Sequence, residues 1–430
     1  MTQEKTERGI PPGSEGGGKR YNPKGRKRDP FPTIALDDEV MLKLVMPDNL
    51  VRGLMGEKNI AVLWGSPSAG KSFWGIDLGM SIARGILFGL RKTLKGSVLY
   101  VAREGQRTFP NRVTSYFEHH FLSSKERQAA RADTPFRLIF APVNLGPANK
   151  TADVDRIIDT ADWMVEHFKQ PMRLVIFDTM RAVTPGMSEN DSDEIEAFVD
   201  KCKRIAEATN AAILIIHHSG KKAALGARGS NALIAAADVE IEIECDETTK
   251  KRAWSNNKER DIEGEQHFAF TLEKILLGTV DDQDGEPVDI TSCWVKHGDR
   301  LDAKLKDNGK ASGKPQRDLY QWEMARDALF NTLANFPVEQ PRTKQYPPLE
   351  ITCTTIERFK HELLATGIIS VDIEPTATEK DKEKAQARVR AEFSRIRVTL
   401  RKKNLYRERD KLCWYPGKTG PAAGQTEADG

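Results

Sequence analysis

Eight consecutive residues, Gly65-Ser66-Pro67-Ser68-Ala69-Gly70-Lys71-Ser72, carry the clearest chemistry in the chain. Their G-x-x-x-x-G-K-S spacing is that of a P-loop. Glycines at both ends let the backbone curl until successive N–H groups point at one anion, and the helix that follows adds its positive end. Lys71 then reaches the β- and γ-phosphates of a nucleotide, and the Ser72 hydroxyl completes the shell of a Mg²⁺ ion. ATP and Mg²⁺ are therefore the expected ligands. The plainer account is a Gly/Ser turn joining a strand to a helix.

Three further polar positions end apolar runs. Arg173-Leu174-Val175-Ile176-Phe177-Asp178 has the form of a Walker B strand, with a carboxylate at its tip to hold the water shell of Mg²⁺ beside the phosphates. Ser97-Val98-Leu99-Tyr100-Val101-Ala102-Arg103-Glu104 ends in an acid just past the strand, where a carboxylate can align an attacking water and take its proton. A helix N-terminal acid or a partner for Arg103 are the competing readings of Glu104. The third run, Ala211 to Ile216, ends in His217-His218. Strand alternation sends the two rings to opposite sides, so only one can face a terminal phosphate. The blander account is a capped, solvent-facing pair. No His or Cys stands at zinc-ligand spacing from them.

These residues need a frame that brings strand ends together. Strands are expected at 60–64, 97–102, 136–140, 173–177 and 211–216, alternating with helices at 73–84 and 194–209, the latter with Ile195, Phe198, Val199, Cys202, Ile205 and Ala206 on one face. Alternating strands and amphipathic helices predict an α/β fold with a mainly parallel sheet covered on both sides, and ligands collect at the carboxyl ends of such strands.

At 430 residues the chain has room for two folded units. A 39% hydrophobic and 30% charged composition without a long apolar run excludes a membrane span, and the polar start Met1-Thr2-Gln3-Glu4-Lys5-Thr6 predicts a cytoplasmic location. Five dispersed cysteines read as reduced thiols. The expected organisation is a disordered basic arm (1–32), an ATPase domain (33–300), a Lys-, Asp- and Gly-rich linker (301–316), a second domain (317–416) and a disordered tail (417–430).

Together Gly65–Ser72, Glu104, Arg173–Arg181, His217–Lys221 and Ala227–Leu233 resemble a RecA-fold ATPase, nearest to the RepA-type hexameric replicative helicases of plasmids and phages; the resemblance covers about residues 45–280. It implies a RecA-like core and a homo-oligomeric ring, a hexamer. Glu104 would be the general base, Asp178 a metal-shell residue and His218 the γ-phosphate sensor. Arg112 falls near a position where the family has a basic residue. RecA-like rings complete each site with cations from a neighbour. Lys258 and Arg260, on one face of a strand, fit that role, while a solvated hairpin tip is the alternative. Asp238 departs from the pattern, because the RepA type has an arginine there. The loop cations Lys221, Lys222 and Arg228 would face a central channel and hold single-stranded DNA, a flexible surface loop with solvated lysines being the alternative.

Residues 317–416 predict helices at 318–335 and 354–366, a third, strongly basic helix beyond an acidic 374–383 stretch, and a hairpin turned at Arg409-Asp410-Lys411. This is a winged-helix-like plan. From Gln386 to Lys411 there are ten Lys/Arg against three Asp/Glu. Arg395, Arg397, Arg401, Lys402 and Lys403 are the expected contacts to duplex DNA. The expected function is an ATP-hydrolysing, DNA-acting motor, a ring-forming replicative helicase of a plasmid or phage. The rivals are a nucleotide-switched DNA-binding regulator and a protein-assembly ATPase.

Overall fold

The computed structural model describes residues 49–147, 149, 151–218, 231–246, 249–259, 266–301, 321–339, 351–366, 368–369 and 378–416. The basic arm, Lys221, Lys222, Arg228, Arg260, residues 302–316 of the linker and the tail lie outside the described residues.

A short antiparallel pair, β1 (Asn49–Val51) and β2 (Met55–Gly56), leads into β3 (Ile60–Gly65), whose six residues are all buried. The P-loop follows and passes into α1 (Lys71–Arg84). Gly85 ends α1 in the left-handed conformation, its N–H returning to the Ile82 and Ser81 carbonyls. The chain then runs through β4 (Ser97–Ala102), α2 (Phe109–His120), α3 (Ser124–Asp133), β5 (Phe136–Ile139), α4 (Ala152–Phe168) and β6 (Met172–Asp178). Next come α5 (Met180–Val183), α6 (Ser192–Thr209), β7 (Ala212–His218), α7 (Asn231–Ala236) and β8 (Val239–Cys245). Three further strands follow, β9 (Arg252–Glu259), β10 (Gln266–Asp281) and β11 (Pro287–Leu301).

All strands from β3 to β11 join one nine-stranded sheet in the order β11-β10-β9-β8-β3-β7-β6-β4-β5. From β8 to β5 the neighbours are parallel; β8 through β11 are antiparallel. The parallel part, with one strand between β3 and β6, fits a RecA-like core. Side chains alternate across it. Ala61, Leu63, Leu174, Ile176, Leu214 and Ile216 face α1 and α2, while Val62, Val175, Phe177, Ile213 and Ile215 face α4 and α6. Strands buried on both faces need continuous apolar runs, which is why those runs were legible. In the antiparallel ribbon β10 and β11 are 16 and 15 residues long, and their tip is exposed.

The C-terminal residues build α8 (Gln321–Asn335), β12 (Cys353–Thr355), α9 (Ile356–Ala365), α10 (Glu379–Lys402), β13 (Arg407–Arg409) and β14 (Leu412–Trp414). Here β12, β14 and β13 form an antiparallel sheet, and Leu329, Phe359, Leu363, Phe393, Ile396, Leu400, Tyr406 and Cys413 form the core beneath. The hairpin turns at Asp410 as expected, whereas Thr354 and Thr355, expected to open a helix, belong to β12, and the helix starts at Ile356. The basic helix also starts earlier than the acidic stretch suggested. Thr378 and Asp381 form a capping box, and acids in a helix's first turn are stabilising rather than disruptive. No described helix is long and apolar enough to cross a membrane.

Candidate nucleotide site

The ends of four parallel strands meet at the P-loop. Register pairs Gly65 with His218, Ile216 with Asp178, and Asp178 with Ala102, two residues before Glu104. Gly65 passes so close to β8 that an added Cβ would lie 2.3 Å from the Ile243 carbonyl oxygen, and Gly70 begins α1 at φ 104°. No side chain caps α1, so its first N–H groups face the loop's concavity, an arrangement suited to phosphate.

The Lys71 ammonium donates to the carbonyls of Gly65 at 2.9 Å and Ser66 at 2.8 Å. Burial lowers its pKa to about 8, against the opposing pull of Asp178 and Glu104. A phosphate oxygen is a stronger acceptor than a carbonyl and can draw the ammonium off both. Asp178 is almost wholly buried, and burial raises its pKa, opposed by hydrogen bonds from Tyr100 and Ser72. The Tyr100 hydroxyl donates to Asp178 Oδ2 at 2.7 Å. A serine hydroxyl touching an aspartate beside a lysine is the donor set that a phosphate-bound Mg²⁺ uses, so the residues fit that ion.

Glu104 is half-exposed, as a residue that meets water must be. Its Oε1 accepts from Thr179 Oγ1 at 2.7 Å, and His218 Nε2 lies 3.4 Å from its Oε2. The contact with His218 foremost, then Thr179 against the cost of partial burial, lowers its pKa and keeps it ionised. Arg103, the rival partner, is engaged elsewhere and donates to the Phe140 carbonyl at 2.6 Å. Alternation places His218 toward Glu104 and leaves His217 buried, its pKa lowered by burial. Arg112 is also near: its guanidinium lies 5.4 Å from the Phe73 ring centre, and its charge acts on Asp178.

Lys71, Ser72, Glu104, Asp178 and His218 thus come together. Lys258 sits elsewhere in its own chain, where its ammonium donates to the carbonyls of Ile234, Ala235 and Ala237 at 3.1, 3.2 and 2.7 Å and closes the end of α7. Asp238 has a structural task at the start of the P-loop strand, accepting from the Ile60 N–H at 3.0 Å. Arg397 and Arg401 both pair with Glu408, the former at 2.8 Å, and Lys403 lies 3.8 Å from the Trp322 ring centre. Arg395 and Lys402 are exposed on α10.

Sequence reasoning missed Tyr100, Thr179 and Arg252. A phenol inside a buried strand must find a polar partner, which was a usable signal for Tyr100. Thr179 follows directly on Asp178. Arg252 Nε donates to the Ala69 carbonyl at 3.1 Å and Leu272 packs against Gly70, so the antiparallel strands brace the P-loop. Nothing local announces a contact that spans 183 residues.

The family described as AAA domain matches residues 30–224, a stretch that contains the P-loop, Glu104, Asp178 and both histidines. No curated protein matches. Among solved structures, one of a DnaB-like replicative helicase, described with its interactions with primase, is similar at 13% identity and a TM-score of 0.39. The match covers 50% of this chain and 56% of that one.

Proposed function

We propose that this chain hydrolyses ATP and uses the energy to act on DNA, as a ring-forming replicative helicase of a plasmid or phage working in the cytoplasm. The observation that carries the reading is the convergence of Lys71, Asp178 and the ionised Glu104, held by Thr179 and His218, on the mouth of one P-loop. Lys71 exchanges two backbone carbonyls for the β- and γ-phosphates. Glu104 orients a water in line with the γ-phosphate and takes its proton, and His218, touching that carboxylate, senses whether the phosphate is present. Ser72 and Asp178 would hold Mg²⁺, which would offset the charge of the phosphate oxygens.

In a hexamer the neighbouring subunit supplies further cations. Arg260 is one candidate; Lys258 becomes another only if its three carbonyl bonds at the end of α7 open. Lys221, Lys222 and Arg228 would contact single-stranded DNA in the channel. The C-terminal order of helix, strand, two helices and hairpin supports a winged-helix reading, with α10 against duplex DNA. Arg388, Arg395 and Lys402 recur every seven residues on its exposed face and supply phosphate contacts.

The reading is tested by measuring ATP turnover with and without DNA alongside separation of a forked duplex. Stimulated turnover with strand separation supports it. Duplex binding that depends on ATP without strand separation would instead favour a nucleotide-switched regulator, a reading to which the basic α10 face also lends itself.

A further inference from the structure

The C-terminal unit meets the nucleotide-binding core through a buried set of charges, and the core helices that reach it include α1 and α2, with α3 adding Glu126. Helix α1 starts with Lys71 and Ser72 and ends with Arg84; α2 begins five residues after Glu104, carries Arg112 and ends with His119 and His120. Arg84 Nη1 donates to the Tyr116 hydroxyl at 2.8 Å, and its guanidinium lies 4.8 Å from the Phe121 ring centre and 5.9 Å from that of Phe336. From the other side, Arg358 of α9 donates to the His120 carbonyl at 2.6 Å and sits 3.5 Å over the same Phe336 ring. Arg358 also stands 3.6 Å from Glu362 and 3.5 Å from Glu126.

Arg84, Arg358 and Glu362 are all nearly fully buried. Burial holds His119 and His361 at about 3 and about 4, so both are neutral near pH 7, and two arginines face two glutamates. A desolvated guanidinium has discrete partners and cannot slide between them at small cost, so such a junction favours distinct arrangements over continuous ones. A helix of 14 residues is a rod about 21 Å long. A displacement of either rod at the phosphate end must be taken up at Arg84, His120 and Arg358.

We propose that nucleotide occupancy and the grip of the C-terminal unit on duplex DNA are coupled through the Arg84–Phe336–Arg358 junction. The inference rests on reading the P-loop as an ATP site and α10 as a duplex-binding helix. Coupling between two sites is reciprocal: nucleotide changes DNA affinity by the same factor by which DNA changes nucleotide affinity.

The test uses the full chain, a fluorescent 20-base-pair duplex and a slowly hydrolysed ATP analogue, each dissociation constant being measured with and without the other ligand. In the unaltered protein both constants should shift by one common factor, on the order of 5- to 150-fold. In Arg358→Gln that factor should fall towards one, while the constants measured with a single ligand stay within about twofold. Phe336→Leu, which keeps an apolar side chain under both arginines, should reduce the factor as well, and thermal unfolding shows that each variant is folded. Two bound ligands that ignore one another in the unaltered protein overturn the coupling, as does a full factor in both folded variants. Failure to bind nucleotide or duplex at all overturns instead the reading on which it rests.

Discussion

The strand tips around the P-loop and the exposed side of α10 are both rich in charge, yet charge is used differently in each. At the strand tips, Lys71 rests on two carbonyls that a phosphate can replace, and Glu104 is half-exposed with its ionised form supported by two neighbours. On α10, Arg397 and Arg401 are already committed to Glu408, which also pairs with the Tyr406 hydroxyl. A cation found in the sequence is therefore a candidate for binding only if the fold has not given it a carboxylate. Arg395 and Lys402 meet that condition on exposure, and Arg397 does so least.

The sharpest way to break the contrast is Lys71→Ala. It should lower ATP turnover by about 10³-fold or more in a steady-state phosphate-release assay, since the cation lost is aimed at the transferring group. Substantial turnover in this variant would mean that the strand tips are no more specialised than the surface of α10. On α10, replacing Arg395 and Lys402 together by alanine should weaken duplex binding about uniformly across sequences and flatten the salt dependence by about two counterions' worth. Glu408→Gln should do the reverse: it releases Arg397 and Arg401, so duplex binding tightens and the salt slope steepens, as read by anisotropy titrations at several salt concentrations. Equal losses from Arg397→Ala and Arg395→Ala would show that the Glu408 pairing does not matter to binding.

The smallest effect concerns pH. Lys71 in the ligand-free site has a pKa of about 8 and must be charged when it holds phosphate. Below that value the ammonium is already formed. Above it, binding must take up a proton, so nucleotide affinity should fall by up to tenfold per pH unit, and Lys71→Ala should lack this dependence.

Much of the site was legible because covalent geometry fixes it. The P-loop is one run of eight residues, Asp178 and Glu104 close apolar strands, and alternation lets only one of His217 and His218 face the loop, the resemblance naming His218. What stayed hidden depends on pairing across the fold. Lys258 was read as a cation for a neighbouring subunit and is found capping α7; Asp238 was noted only as a departure and is found holding the start of β3. The brace from Arg252 to Ala69 and the clamp on Glu408 join residues whose proximity no local pattern sets. In the C-terminal unit the helices followed from apolar periodicity, but β12 is three residues long and is a strand through its pairing with β14 and the bridge from Cys353 to Val338. The early start of α10 had a local signature, Thr378-Glu379-Lys380-Asp381, masked by reading acidity as a sign of disorder.

The account stands or falls on Glu104, the one group at the strand tips assigned to the reacting water. Single-turnover hydrolysis by Glu104→Gln, measured beside its affinity for ATP, tests it most directly. Binding within a few-fold of the unaltered protein with hydrolysis slower by about 10²- to 10⁴-fold is the expected result. Hydrolysis at the unaltered rate would contradict it and move the proton acceptor elsewhere.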